Sequence, residues 1–312
     1  MPATLRVVAY DRGMGAGHGH LGGHAGTRHR WRLALAFALV AGFFVVELVA
    51  GLWSGSLALL SDAGHMAADV VALGAALAAT RIATRTDTTG RRTYGSYRAE
   101  VFASGFTVLL MLAAAAYVAV EAVRRLGGDV EPDTGPMLVV GGLGLLVNLV
   151  ALGLLRGGAS ESLAVKGAYF EVIADSLGSV GVMAAAVLVL TTGRGWWDTV
   201  VALAIALFVT VRAVMLGREV LAVLGQHAPA GVDPDAVAAD LESMPGVAGV
   251  HDLHLWTLTS GMHVATAHLV AGPADREEVL AGAQALLRER HGIDHATVQV
   301  ETDARSCDEL SW

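Results

Sequence analysis

The 312 residues contain one cysteine, Cys307, so no intrachain disulfide can form and no cysteine cluster can hold zinc. Cys307 itself reads as an incidental tail thiol. Charge is also scarce: 16% of residues are Asp, Glu, Lys or Arg, against about 25% in a typical soluble domain. Hydrophobic residues reach 54% and mean hydropathy is +0.56, a composition suited to lipid as solvent. Basic residues are outnumbered, 21 Lys and Arg against 29 Asp and Glu for a net charge of −8. A nucleic-acid partner, which calls for a basic patch or stripe, is therefore excluded. The first 31 residues lack any apolar stretch of the signal-peptide type and read as a flexible Gly/His-rich cytosolic leader. Its His18, His20, His24 and His29 leave two readings open, weak metal capture or no role, because glycine on most sides cannot fix geometry.

What is abundant is long apolar sequence. A helix needs about 20 mostly apolar residues to cross a bilayer. Six stretches qualify: 33–53, 56–80, 101–120, 137–155, 167–192, and 199–211 continued past Arg212 towards Leu224. Arg212 is expected to snorkel to the interface. An even number of spans puts both termini on one side. Arg81, Arg85, Arg91, Arg92 and Arg98 follow the second span, Arg156 and Lys166 follow the fourth, and Arg28, Arg30 and Arg32 precede the first. The opposite face carries only Arg124, Arg125 and Arg194, the first two offset by Asp129, Glu131 and Asp133. The positive-inside bias predicts cytosolic termini.

Beyond Pro229, Gly231 and Pro234 the hydropathy drops to that of a soluble domain. Asp233 reads as an N-cap with Pro234 in the first turn of a helix over 233–244. Strands are predicted at 247–258 and 262–271, joined at Thr259-Ser260-Gly261, then a helix at 274–290 and a strand at 296–301. The expected architecture is thus an all-α six-helix transmembrane bundle over 32–226 and a small cytosolic α+β unit, in the order α-β-β-α-β, over 227–312. That unit is too long for a tail and too small for an independent enzyme.

Ionisable residues at bilayer depth cost several kcal/mol each, about 3 on insertion scales, and point to function. The second span carries His65 and Asp69, the fifth Glu171 and Asp175, each pair four residues apart and so on one helix face. If the two faces meet, one imidazole and three carboxylates surround a point, a plausible N/O shell for zinc. No intramembrane Lys or Arg is expected to neutralise these acids, so they demand protons or a cation. Asp62 shares the stripe of His65 and Asp69 but also reads as a helix-start acid. Glu47 and Asn148 read as helix–helix hydrogen-bonding groups rather than ligands.

Four segments carry a resemblance to the cation diffusion facilitator family: Ser56-Leu57-Ala58-Leu59-Leu60-Ser61-Asp62-Ala63-Gly64-His65-Met66-Ala67-Ala68-Asp69, Tyr94-Gly95-Ser96-Tyr97-Arg98-Ala99-Glu100, the run from Gly167 to Gly181 around Tyr169-Phe170-Glu171 and Ala174-Asp175-Ser176, and Val250-His251-Asp252-Leu253-His254-Leu255-Trp256. The match extends over about 33–302. It implies a homodimeric, proton-coupled antiporter of the bacterial inner membrane with a metallochaperone-like cytosolic domain, which exports a divalent metal, zinc(II) above all, and has no cofactor beyond the metal it carries and binds. His251, His268 and Glu301 match the positions at which zinc-type members bind cytosolic metal. The family's zinc-type members have His-x-x-x-Asp on both the second and the fifth helix; here Glu171 stands where the second histidine is expected. A carboxylate there hardens the site and widens the range towards cadmium, cobalt and manganese(II). The histidine-rich connection between helices four and five is missing, and no metal site is expected in the second-to-third connection.

In a regular strand His251 and His254 would face opposite ways, so they are not expected to share a ligand shell. His254, His263, His291 and His295 read as surface histidines. Two rivals to a carrier are an intramembrane metalloenzyme and a passive channel. The first needs a catalytic set such as His-Glu-x-x-His, which the sequence lacks, so the chain is not expected to be an enzyme. The second would line a pore with rings of weak sites rather than one compact charged constellation.

Overall fold

The computed structural model describes residues 30–82, 93–125, 131–156, 163–272 and 276–302. The leader histidines, most of the second-to-third connection and Cys307 lie outside them. Among the described residues six long helices come first: α1 Arg30–Ser54, α2 Leu57–Ile82, α3 Arg98–Arg125, α4 Thr134–Arg156, α5 Leu163–Thr192 and α6 Trp196–Leu224. Five of them are long and apolar enough to cross a membrane. The sixth is α2, the helix that carries Asp62, His65 and Asp69.

The bundle is apolar on the outside and polar within, the inverse of a soluble helical domain. Phe102, Leu109, Leu177 and Leu207 stand exposed, whereas Glu47, Asp62, His65, Asp69, Asn148 and Asp175 are buried. The polar stripe is buried because α2 is central: it packs against α1, α3, α5 and α6. Small residues allow the approach. A Cβ on Gly64 of α2 would lie 2.7 Å from the Cβ of Ala114 on α3, and one on Gly178 of α5 would collide with the carboxylate of Asp62. Close contact at glycine replaces the hydrophobic drive that lipid cannot supply between helices.

Gly55, at φ +66°, turns the chain tightly from α1 into α2. The first turn of α2 is then capped from another helix. Asp198 at the start of α6 accepts from the backbone N–H of Leu57 at 2.6 Å and of Ala58 at 3.1 Å, and from Ser56 Oγ at 2.6 Å. Arg125 at the end of α3 lies 3.7 Å from Asp198 and donates to the Gly55 carbonyl at 2.8 Å. One buried acid thereby ties three helix ends together, satisfying the otherwise orphaned N–H groups of α2.

The C-terminal unit follows as α7 Pro234–Glu242, β1 Val247–Thr259, β2 Met262–Ala271, α8 Arg276–His291 and β3 His295–Glu301. Asp233 caps α7, its carboxylate accepting from the Asp235 N–H at 3.1 Å, with a proline in the first turn. The sheet order is β1-β2-β3, antiparallel between β1 and β2 and parallel between β2 and β3. Leu241, Leu255, Leu269, Val279, Leu287 and Ile293 fill its core. The sheet touches the bundle where Thr259 Oγ1 donates to Glu100 Oε2 of α3 at 3.1 Å, and where His295 meets the Tyr94 ring edge-on at 5.7 Å.

Two candidate metal centres

Inside the bundle, α2 and α5 bring their polar faces together. His65 Nε2 lies 3.1 Å from Asp175 Oδ1 and 3.7 Å from Asp69 Oδ2, and the ligand atoms of all three lie within 4.8 Å of one another. All three side chains are buried. His65 Nδ1 is buried without a hydrogen bond, and the His65 ring packs edge-on against Phe208 of α6 at 6.4 Å. An imidazole and two carboxylates at this separation offer the N/O donor set that suits zinc and its neighbours. Glu171 lies on α5 one turn before Asp175, but its side chain is outside the described part of the structure. Asp62 and Glu47 interact with each other across the α1–α2 contact and are not among the three converging groups.

The expectation for Arg212 is overturned. It does not snorkel outwards; its Nη1 lies 2.9 Å from His65 Nε2, with the guanidinium carbon 6.0 Å from the Phe208 ring centre. The expected absence of intramembrane cations fails with it. Arg212 is the 17th of the 29 residues of α6, on a helix that packs against α2, and the buried His65 of α2 gives it a partner inside the bundle. Continuing the sixth span past Arg212 already places the arginine within the helix; which way it turns depends on His65, 147 residues earlier in the chain.

The second cluster is in the sheet. Glu301 Oε2 lies 3.3 Å from His251 Nε2 and Glu301 Oε1 lies 3.1 Å from His268 Nδ1. The two imidazoles meet edge-on at 5.2 Å, and the three ligand atoms lie within 4.8 Å of one another. Register explains the meeting: His251 pairs with His268 across β1 and β2, and Glu301 pairs with Val270, one same-face step along β2. Buried Glu301 is further held by Gln299, whose Nε2 donates to Oε1 at 2.6 Å. These residues fit a divalent cation by donor type and spacing.

β1 is not the regular strand expected. His251 pairs with His268 but His254 pairs with Thr266, so an extra residue sits between them, and Asp252 takes φ +54°. This bulge cancels the alternation on which the sequence argument about His251 and His254 rested. His254 instead points to Asp252 at 3.6 Å, largely exposed. His291 holds α8 to α7 through Asp240 at 2.9 Å, and His263 contacts Thr257 at 3.3 Å.

The profile described as "Cation efflux transmembrane domain" matches residues 33–224 and that described as "Cation efflux protein, cytoplasmic domain" matches residues 229–303. This chain belongs to the cation efflux family and is a membrane transporter of metal cations, not an enzyme. The metal cation efflux system protein CzcD of Cupriavidus metallidurans is 43% identical over 92% of this chain and 90% of its own length. A cadmium, cobalt and zinc/H(+)-K(+) antiporter of Bacillus velezensis is 33% identical over 94% of each chain. The zinc transporter ZitB of Escherichia coli is 33% identical over 92% of this chain and 93% of its own. Among solved structures, the metal-bound C-terminal domain of the C. metallidurans CzcD transporter is 39% identical, covering 22% of this chain and 99% of that one at a TM-score of 0.22.

Proposed function

We propose that the chain exports zinc(II) from the cytosol across the bacterial inner membrane in exchange for protons, as a homodimer with cytosolic termini. Residues 32–226 form the transport unit and 227–312 the cytosolic metal-binding and dimerisation unit. The observation that carries the reading is the convergence of His65, Asp69 and Asp175 deep between helices otherwise made of apolar residues. Zinc is supported by the zinc, cadmium and cobalt in the relatives' names. Glu171 joins these ligands and broadens the range towards cadmium, cobalt and manganese(II).

The mechanism is alternating access. Metal arriving from the cytosol takes the His65 lone pair and the carboxylate oxygens, which bind metal only when deprotonated, so loading releases protons. Opening to the far side returns protons to the same atoms as the metal leaves, and the inward proton gradient drives the cycle. A pore with rings of weak sites is disfavoured by the compactness of the charged cluster. Everted membrane vesicles test the coupling. With an acid lumen they should accumulate zinc, and the uptake should stop when an ionophore collapses the pH gradient; uptake indifferent to the gradient contradicts proton exchange.

In the cytosolic unit His251, His268 and Glu301 bind a metal ion and bias the carrier by their different affinity in its two states. Replacing His251 and His268 together with alanine should lower the metal bound per chain by one ion while some transport persists. Calorimetry that finds the stoichiometry unchanged makes them ordinary surface residues.

A further inference from the structure

The site that loads a divalent cation already contains a cation of the chain's own. Arg212 reaches from α6 to place Nη1 2.9 Å from His65 Nε2, the nitrogen that also faces Asp175 at 3.1 Å and Asp69 at 3.7 Å. A guanidinium is charged at any accessible pH and has no lone pair to offer a metal. Its Nη1 sits at hydrogen-bond distance from Nε2, the His65 nitrogen that faces both carboxylates, so the arginine and a metal ion held there compete for the same place. They also repel each other at short range in a medium that screens poorly.

Resting on the membrane-site reading above, we propose that Arg212 is a tethered counter-cation of the transport site, which sits against His65 when metal is absent and is displaced by the incoming ion. Two consequences follow from charge alone. The empty site keeps a positive group against the His65 nitrogen that both carboxylates face, and buried acids with no positive charge near them are costly. The loaded site carries an extra positive charge beside the metal, which weakens binding and speeds release. Phe208 provides the fulcrum: its ring faces the His65 edge at 6.4 Å and the guanidinium at 6.0 Å, so the displaced head can remain over an aromatic face. Arg212 is thus a positioning and affinity-setting residue rather than a ligand.

The test compares Arg212→Met and Arg212→Lys in the full-length protein, with His251 and His268 replaced so that only the membrane site is read. Zinc affinity by calorimetry in detergent and zinc transport in proteoliposomes are both measured. Removing the charge should tighten zinc binding by about tenfold or more, lower KM likewise and reduce kcat, because release is slowed. Arg212→Lys, which keeps the charge, should stay within a few-fold of Arg212 in affinity. If Arg212→Met does not yield monodisperse protein, Arg212→Gln takes its place in the comparison. Neutral variants that bind zinc with unchanged or weaker affinity overturn the proposal, as does a lysine variant that binds as tightly as the neutral one. Asp69→Ala in the same background separates the two ideas: if it still binds zinc at full affinity, the ligand assignment fails, and if it loses zinc while Arg212→Met is unaltered, only the counter-cation fails.

Discussion

Asp69→Ala and Asp175→Ala should each abolish zinc export while the folded protein persists in the membrane. Each carboxylate belongs to a buried set whose ligand atoms lie within 4.8 Å of one another, so removing either takes away both a donor and one negative charge. Loss of an outer-shell partner alone costs about 10–100-fold in metal affinity, and loss of a ligand should cost at least about 100-fold in transport. Folding should survive, because in either variant the remaining carboxylate still faces His65, so the buried cluster keeps an acid opposite its basic groups, and the tight α2–α5 contact at Gly178 is made against Asp62, which both variants keep. His65→Ala should be nearly as harmful, with carboxylates left that can still hold a harder ion. Cells expressing Asp69→Ala that resist toxic zinc as well as wild type contradict the ligand assignment.

Glu171→His should narrow the metal range towards zinc. Among the proposed membrane ligands Glu171 alone departs from the two-histidine pattern, and it adds one negative charge when all ligands are deprotonated. Carboxylate oxygen favours manganese(II) relative to zinc, whereas imidazole favours zinc. Exchanging one for the other should lower the manganese-to-zinc transport ratio by about tenfold, equivalent to ~1.4 kcal/mol of discrimination. A free carboxylic acid titrates near pH 4.3 and an imidazole near 6.5, so the pH dependence of uptake into everted vesicles should change as well. Zinc, cadmium, cobalt and manganese are compared side by side in both versions. A manganese-to-zinc ratio that does not fall removes Glu171 from selectivity and turns attention to Asp62, which lies one turn before His65 on the same helix and is buried.

Much of this architecture is legible in the sequence because its causes are local. Hydrophobic length marks five of the six helices and a stripe of ionisable residues the sixth, and the Asp233–Pro234 start of α7 is formed as its cap chemistry dictates. The convergence of His65 and Asp69 with Asp175 follows from four-residue spacing plus the cost of leaving such groups in lipid. What the sequence does not reveal depends on partners far along the chain. Asp198 is an unremarked acid at a helix start until α6 is laid beside α2, where it caps Leu57 and Ala58. Arg212 reads as an interfacial cation until α6 is laid beside α2, where it meets His65. The bulge at Asp252 has no sharp signature, since no glycine marks the place and aspartate, though among the side chains that reach positive φ most readily, takes it only in a minority of cases.

Coupled exchange is the central claim, and it is tested most directly by reversing cause and effect. The purified protein is reconstituted into vesicles with a zinc gradient and no pH gradient, and lumenal zinc and lumenal pH are followed together. Zinc entering the vesicles should drive protons out at a fixed ratio, and both signals should vanish with Asp175→Ala. Zinc entry that leaves the lumenal pH unchanged contradicts the account.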